Sequence, residues 1–239
     1  MTIVAVTMNV WENSTYPETR DGISHDWIRF LDQLGITPLL IPNSLANPAQ
    51  QCQKTQVCGI LLVGGNDVGP QANEKWPPSA SVAQERDRAE HAIVQFGLEQ
   101  GIPMIGVCRG MQFINTYFGG TLVRDLLTET EGETHVAMDH RLKIVDAQFR
   151  EILKVDLLTT NSFHDQGVTL ETLAPCLKPI ALSEAGVVEA LYHPELPLLG
   201  MQWHPERPNP DPQTATALFS HWLRWCISYS QAKHPAGMV

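Results

Sequence analysis

Gly106-Val107-Cys108-Arg109-Gly110 is the stretch on which the reading of this chain turns. It separates an apolar run, residues 102–107, from a helical pattern in which Met111, Ile114, Asn115 and Phe118 fall at i, i+3, i+4 and i+7. A lone cysteine between two glycines, where a strand turns sharply into a helix, is the layout of a nucleophile elbow with Cys in place of the usual Ser. The glycines give room for the tight backbone. The free N–H groups and macrodipole of the helix start favour a thiolate.

The same strand–helix rhythm extends outward. Residues 3–6 form a short strand, Trp27, Ile28, Leu31 and Leu34 follow at helical spacing before Gly35, and residues 38–41 form a second strand closed by Pro42. Residues 59–63 form a third, ending in Gly64-Gly65-Asn66-Asp67, and residues 73–81 read as a loop around Trp76-Pro77-Pro78. Ala89, Ala92, Ile93 and Phe96 make an amphipathic helix stopped by Gly101, and Gly119-Gly120 stops the helix after the elbow. This alternation predicts an α/β fold of βαβ units around a mostly parallel central sheet.

The second half changes character. Residues 142–145 and 155–158 are short strand candidates, and residues 187–192 alternate apolar and polar as a half-exposed strand would. Residues 198–203 are a buried run ending in His204-Pro205-Glu206. Asp211-Pro212 reads as an N-cap with proline at the first helical position, and Ala215, Leu218, Phe219, Trp222 and Cys226 give the last helix its apolar face. No repeat, low-complexity tract or linker interrupts residues 1–239, so a single domain is expected.

Composition narrows the function. Apolar residues make up 43% and charged residues 18% of the 239, enough for a sizeable core. A net charge of −10 and a pI near 5.3 argue against a general nucleic-acid or anionic-membrane binder, which needs basic surface. A small anionic substrate held by a few local Arg or Lys stays open. The five cysteines, Cys52, Cys58, Cys108, Cys176 and Cys226, include no C-x-x-C pair, so neither a zinc site nor a disulfide framework is indicated. Residues 1–10 lack a basic n-region and a cleavage site, and no apolar run approaches the ~20 residues of a membrane span. A cytoplasmic protein is expected.

A cysteine nucleophile needs a base, and the base needs an orienting partner. Among the nine histidines, His91 and His221 lie in helical patterns and read as solvent-facing. His204 directly follows a buried run, at the strand end where sites of parallel sheets gather. Glu206, two residues on, lies on the same side if the backbone stays extended. Gly64-Gly65 also follows a strand. A glycine turn can present bare backbone N–H groups to an oxyanion, and the N–H of Arg109, after the cysteine, would be the second donor. Each element alone is common. Together they lie at the ends of predicted parallel strands, and their conjunction marks a site.

Gly-Val-Cys-Arg-Gly-Met-Gln, Leu-Val-Gly-Gly-Asn-Asp-Val and Gln-Trp-His-Pro-Glu, in this order and spacing, resemble the three signatures of the class I glutamine amidotransferase superfamily. The resemblance runs over about residues 3–225. It implies a flavodoxin-like sandwich and a Cys-His-Glu triad, with Cys108 as nucleophile, His204 as general acid/base and Glu206 as its orienter. It implies Gly65 and Arg109 as oxyanion-hole donors, and Gln112 facing a γ-glutamyl group. Asn161-Ser162-Phe163-His164-Asp165-Gln166 is similar to the pocket-lining Asn-Ser-x-His-x-Gln segment of the γ-glutamyl hydrolase branch, although alone it reads as a polar loop. Gly-Gly-Asn-Asp-Val-Gly-Pro and Glu85-Arg86-Asp87 resemble segments of the same branch, and the chain ends soon after the triad, with no synthetase domain expected.

The stretch from Glu18 to Trp27, Glu-Thr-Arg-Asp-Gly-Ile-Ser-His-Asp-Trp, resembles the opening of the γ-glutamyl-CDP-amidate hydrolases of capsule and O-antigen biosynthesis, with Thr19 and Gly22 where that group has Arg and Ala. Trp203-His204-Pro205-Glu206-Arg207 fits the same group. Arg20 would meet the diphosphate, or be a solvated arginine at a helix start. Two alternatives stand beside this one: a hydrolase of small γ-glutamyl amines such as γ-glutamyl-γ-aminobutyrate, and a glutaminase subunit passing ammonia to a synthetase. Under each the partner is a small γ-glutamyl molecule, with no metal or other cofactor, no nucleic acid and no membrane, and a homodimer is admitted.

Overall fold

The structure, a computed structural model, describes residues 2–69, 81–126 and 136–233. The chain begins β1 (Thr2–Val6), β2 (Asn9–Glu12), β3 (Thr19–Gly22), α1 (His25–Gln33), β4 (Ile36–Leu40), α2 (Pro48–Thr55) and β5 (Gly59–Leu62). It continues α3 (Gln84–Gln100), β6 (Met104–Val107), α4 (Arg109–Tyr117), β7 (Val136–Ile144), α5 (Ala147–Leu153) and β8 (Leu157–Phe163). It closes with β9 (Val168–Thr169), β10 (Lys178–Ser183), β11 (Val187–Tyr192), β12 (Leu198–Met201) and α6 (Pro212–Lys233). Most of the loop expected at 73–81 lies outside the described residues.

The central sheet runs β4-β1-β5-β6-β12-β11-β10-β7-β8. Its first five strands are parallel, as the βαβ rhythm predicts, and from β12 onward the pairing is antiparallel. Two apolar cores flank it. One gathers Trp27, Leu31, Phe149, Leu218, Phe219 and Trp222 from α1, α5 and α6. The other gathers Cys52, Ile93, Val94, Phe113 and Ile114 from α2, α3 and α4. The α6 stripe Ala215, Leu218, Phe219, Trp222, Cys226 is wholly buried, each large member contributing about 1.5–3 kcal/mol of transfer free energy.

Three expectations change. Residues 187–192 are buried on both faces rather than half-exposed, because neighbouring strands and packed layers enclose β11. The strand expected at 155–158 is β8, which starts later and runs on through Asn161, Ser162 and Phe163. Its polar residues are strand-compatible because they are satisfied across the site, with Thr160 Oγ1 donating to Asn209 Oδ1 at 2.8 Å. His221 is half-buried against Phe149 and Trp225, whereas His91 is exposed as expected. The β2–β3 hairpin, α2, α5, β9 and β10 carry too little apolar periodicity to be foreseen.

The parallel core places the C-terminal ends of β5, β6 and β12 side by side. The chain therefore leaves the sheet at Gly64-Gly65, at Cys108 and at the approach to His204 along one edge, the edge where open α/β sheets hold their ligands.

Candidate active site

The elbow forms because Cys108, and not its glycines, takes the unusual backbone, with φ 52° and ψ −112°. The glycines supply clearance. A Cβ on Gly106 would strike the backbone of Gly110 and Met111, and one on Gly110 would strike the Leu62 carbonyl of β5. The turn is tied down by Cys108 N–H donating to Met201 O at 2.8 Å, and by Met111 and Gln112 N–H donating to Cys108 O at 3.0 and 3.2 Å. A non-glycine residue in this region costs on the order of 1–3 kcal/mol, which the surrounding packing must offset.

His204 and Glu206 meet Cys108 across this edge. His204 Nδ1 lies 2.7 Å from Glu206 Oε1, and its side chain also hydrogen-bonds Cys108. The His204 backbone is clasped by its N–H donating to Asn161 Oδ1 at 2.9 Å, and by its carbonyl accepting from Asn161 Nδ2 at 3.0 Å and Asn209 Nδ2 at 2.9 Å. Both side chains are buried. Burial alone would raise the Cys108 thiol, yet the charge and hydrogen bond of His204, with His164 behind it, hold it below the usual cysteine range. Burial alone would lower His204, yet Cys108 and Glu206 push it up to about 9. His204 is therefore protonated at neutral pH, and its charge favours the thiolate form of Cys108. Burial raises the thiols of Cys52, to about 11, and of Cys58 and Cys226, so these buried cysteines stay protonated packing groups. Cys176 is exposed.

Gly64 packs against this pair, and Gly65 follows it. A Cβ on Gly64 would sit 2.9 Å from His204 Cε1 and 3.4 Å from Cys108 Cβ. Gly65 has φ 127°, a conformation that requires glycine, and the Asn9 side chain covers its face. Arg109 is buried, and its guanidinium pairs with Glu90 and Asp87 of α3, which leaves only its backbone for the site. Arg86 and Asp87 enter the sequence reading only through the Glu85-Arg86-Asp87 resemblance, with no role attached, and Glu90 does not enter it. Their signal is a charged pair, Arg86 and Glu90, at i and i+4 on the buried stripe of an amphipathic helix.

The other candidates divide. Gln112 is buried, and its Nε2 donates to Gln166 O at 2.8 Å and Gln202 Oε1 at 3.2 Å. Asn161 is committed to the His204 clasp and also donates to Pro208 O at 3.0 Å, so it shapes the site through His204. Ser162 is buried in β8. Phe163 is 40% exposed, with its ring 5.9 Å from that of His204 and the Arg207 guanidinium 4.6 Å above it. His164 is buried, with Nδ1 2.9 Å from Gln166 O and Nε2 3.6 Å from Glu189 of β11. Burial opposes its protonation, but Glu189 raises its pKa. Arg20 is not at this centre. It lies exposed on the β2–β3 hairpin, donating to Glu18 Oε2 at 2.6 Å and Tyr16 Oη at 3.0 Å. The opposite strand of that hairpin lines a cleft of about 530 Å³ with Gly65, Asn66 and the start of α3.

Among the described residues, no group of three or more His, Cys, Asp and Glu is gathered as a metal site requires, and no helix is long and apolar enough to cross a membrane.

Known proteins resemble this chain in sequence and in fold. Protein NtpR of Enterococcus hirae is 31% identical over 211 residues, spanning 83% of this chain and 87% of that one. The gamma-glutamyl-CDP-amidate hydrolase of Campylobacter jejuni is 25% identical over 86% of this chain and 90% of its own length. The gamma-glutamyl-gamma-aminobutyrate hydrolase PuuD of Escherichia coli is 27% identical over 85% and 86%. Among solved structures, the glutaminase domain of Trypanosoma brucei CTPS with bound acivicin superposes with a TM-score of 0.67 at 15% identity, covering 95% of this chain and 94% of that one, which establishes the shared fold. The Peptidase C26 family model matches residues 2–206, and the chain belongs to that class I glutamine amidotransferase-like family.

Proposed function

We propose that the protein is a cysteine-dependent hydrolase of γ-glutamyl amides. The observation that carries this reading is Cys108, held at positive φ on the start of α4, against a buried imidazole that is itself 2.7 Å from Glu206. The Cys108 thiolate attacks the γ-carbonyl, and the tetrahedral oxyanion forms against the N–H groups of Gly65 and Arg109. The C–N bond breaks as protonated His204 gives its proton to the leaving nitrogen, producing a γ-glutamyl thioester. Neutral His204 then takes a proton from water, which attacks the thioester. Glutamate leaves, and the thiolate–imidazolium pair is restored. Glu206 holds the ring in register. Gln112, Ser162, Phe163 and His164 line the substrate side, with Asn161 acting through His204. The same reading has one domain over residues 1–239, located in the cytoplasm, and is compatible with a homodimer.

For the nitrogen side, the favoured substrate is γ-glutamyl-CDP-amidate, supported by the resemblance of residues 18–27 and by the Campylobacter relative. A small γ-glutamyl amine such as γ-glutamyl-γ-aminobutyrate is the second reading. It is favoured by the engagement of Arg20 with Glu18 and Tyr16, which leaves it less available to a diphosphate. The test is glutamate release from both substrates and from glutamine, by wild type, Cys108→Ala and Arg20→Ala. Turnover that survives Cys108→Ala removes the mechanism. An Arg20→Ala variant with unchanged KM for the CDP substrate removes the Arg20 contact. Glutaminase turnover that requires an added synthetase identifies an ammonia-delivering subunit instead.

A further inference from the structure

We propose that Arg86 is a positioning residue of the oxyanion hole: it sets the Gly64–Gly65 peptide so that the Gly65 N–H faces the Cys108 side, and Glu90 locks that setting to Arg109. The proposal rests on the acyl-transfer reading above, and concerns how the two N–H donors are kept aimed.

Arg86 is wholly buried at the start of α3. Its Nη2 donates to the carbonyls of Val63 at 2.6 Å and Gly64 at 3.1 Å, the two residues that lead into Gly65. Its Nη1 donates to Asn9 Oδ1 and, at 3.3 Å, to Asn66 Oδ1, while Nε donates to Glu90 Oε1 at 2.9 Å. All three guanidinium nitrogens are thus engaged, and the planar fork admits one orientation. In a trans peptide the N–H points opposite to the C=O. Holding the Gly64 carbonyl toward Arg86 therefore turns the Gly65 N–H away from it. A Gly-Gly peptide has no side chains to resist rotation of its plane, so an external hold has an effect here that it would lack elsewhere.

The second donor is tied to the same device. Glu90 accepts from Arg86 through Oε1 and from the Arg109 guanidinium through Oε2. One buried carboxylate thus bridges the residue that fixes the first N–H and the residue that carries the second. Burial lowers Arg86 to about 10, which leaves it charged at neutral pH. Charged groups facing Arg86 are Glu90 and Asp87 of its own helix and Arg109 of α4. The quartet is formally neutral.

The experiment compares wild type, Arg86→Lys and Glu90→Gln in the hydrolysis of γ-glutamyl-p-nitroanilide, with the iodoacetamide alkylation rate of Cys108 as the second readout. Lysine retains a basic nitrogen, but it lacks the planar fork whose separate nitrogens reach the two carbonyls, Asn9, Asn66 and Glu90. Alkylation at a saturated carbon builds no oxyanion, so it reads the thiolate and the fold without the hole. Arg86→Lys is expected to lower kcat about 10²-fold, the scale of losing one oxyanion donor, with KM within about threefold and alkylation within about twofold. Glu90→Gln, which keeps shape and one acceptor oxygen, is expected to lower kcat about tenfold with the same split. If kcat stays within threefold of wild type, or kcat and alkylation fall together in both variants, Arg86 only supports the fold and the proposal is overturned. A wild type that hydrolyses no γ-glutamyl donor overturns the underlying reading, and the proposal with it.

Discussion

Replacing Gly64 by alanine tests whether the imidazole is held where the chemistry needs it. The residue lies outside the left-handed region, so alanine meets no backbone penalty. The added methyl would sit 2.9 Å from His204 Cε1, 3.4 Å from Cys108 Cβ and 3.6 Å from His204 Nε2. Carbon atoms prefer about 3.5–4.0 Å, so the ring must retreat by roughly half an ångström or more. It has little freedom to do so, because Nδ1 is 2.7 Å from Glu206 and its backbone is clasped by Asn161 and Asn209. A 1 Å misplacement at a reacting centre costs about 10²-fold, and half of that scales to about tenfold in kcat. Overpacking adds about 1–3 kcal/mol of destabilisation, a Tm lower by roughly 2–12 °C for a chain of this size. The assay is coupled glutamate release together with alkylation of Cys108. Both rates should fall, since the displaced imidazolium no longer supports the thiolate, in contrast to Arg86→Lys. A Gly64→Ala enzyme with wild-type kcat and an unmoved His204 ring in its crystal structure would refute the reasoning.

The pH–rate curve for alkylation of Cys108 should lie at lower pH than that of an ordinary thiol, because His204 lowers the Cys108 pKa, and a midpoint at or above that of free cysteine would contradict the pairing. Hydrolysis should decline as pH rises through about 9, where His204 loses the proton it must donate, and a flat profile to pH 10 would contradict that role. Glu206→Gln removes a charge that raises His204, so this basic limb should move to lower pH and kcat should fall at least about 10²-fold, read from a pH–rate series. Asn161→Ala leaves the His204 N–H without its acceptor and should cost about 1–3 kcal/mol by denaturant melting. It should lower kcat more than it raises KM, and a pure KM effect would mean that Asn161 contacts substrate directly.

Residues with special backbone demands were the legible ones. The glycines flanking Cys108, the Gly64-Gly65 turn and His204-Pro205-Glu206 all punctuate the ends of apolar runs, and a sheet edge follows from that punctuation. Asn161 was legible as part of a segment but not in what it does. Its polar strand breaks the apolar pattern, and its hydrogen bonds reach 43 residues along the chain to His204. Arg86 was legible as part of Glu85-Arg86-Asp87 but not in what it does, and Glu90 lies beside the apolar positions Ala89 and Ile93 of α3, where a charge reads as solvated. Only the tertiary approach of Val63, Gly64 and Arg109 supplies their partners. The β2–β3 hairpin was missed for the same reason: its anchors are side-chain pairs such as Asn66 with the Val10 backbone and Asn43 with Asp21, rather than a periodic apolar face.

The positive φ of Cys108 sets stability and chemistry against each other at a single position. Glycine would adopt that turn at ease, so Cys108→Gly removes the reaction while relieving on the order of 1–3 kcal/mol of backbone strain, less the entropy glycine adds to the unfolded chain. Among variants of this chain, a cysteine retained at position 108 therefore keeps a strained backbone for the sake of its thiol, which packs in the core and partners His204.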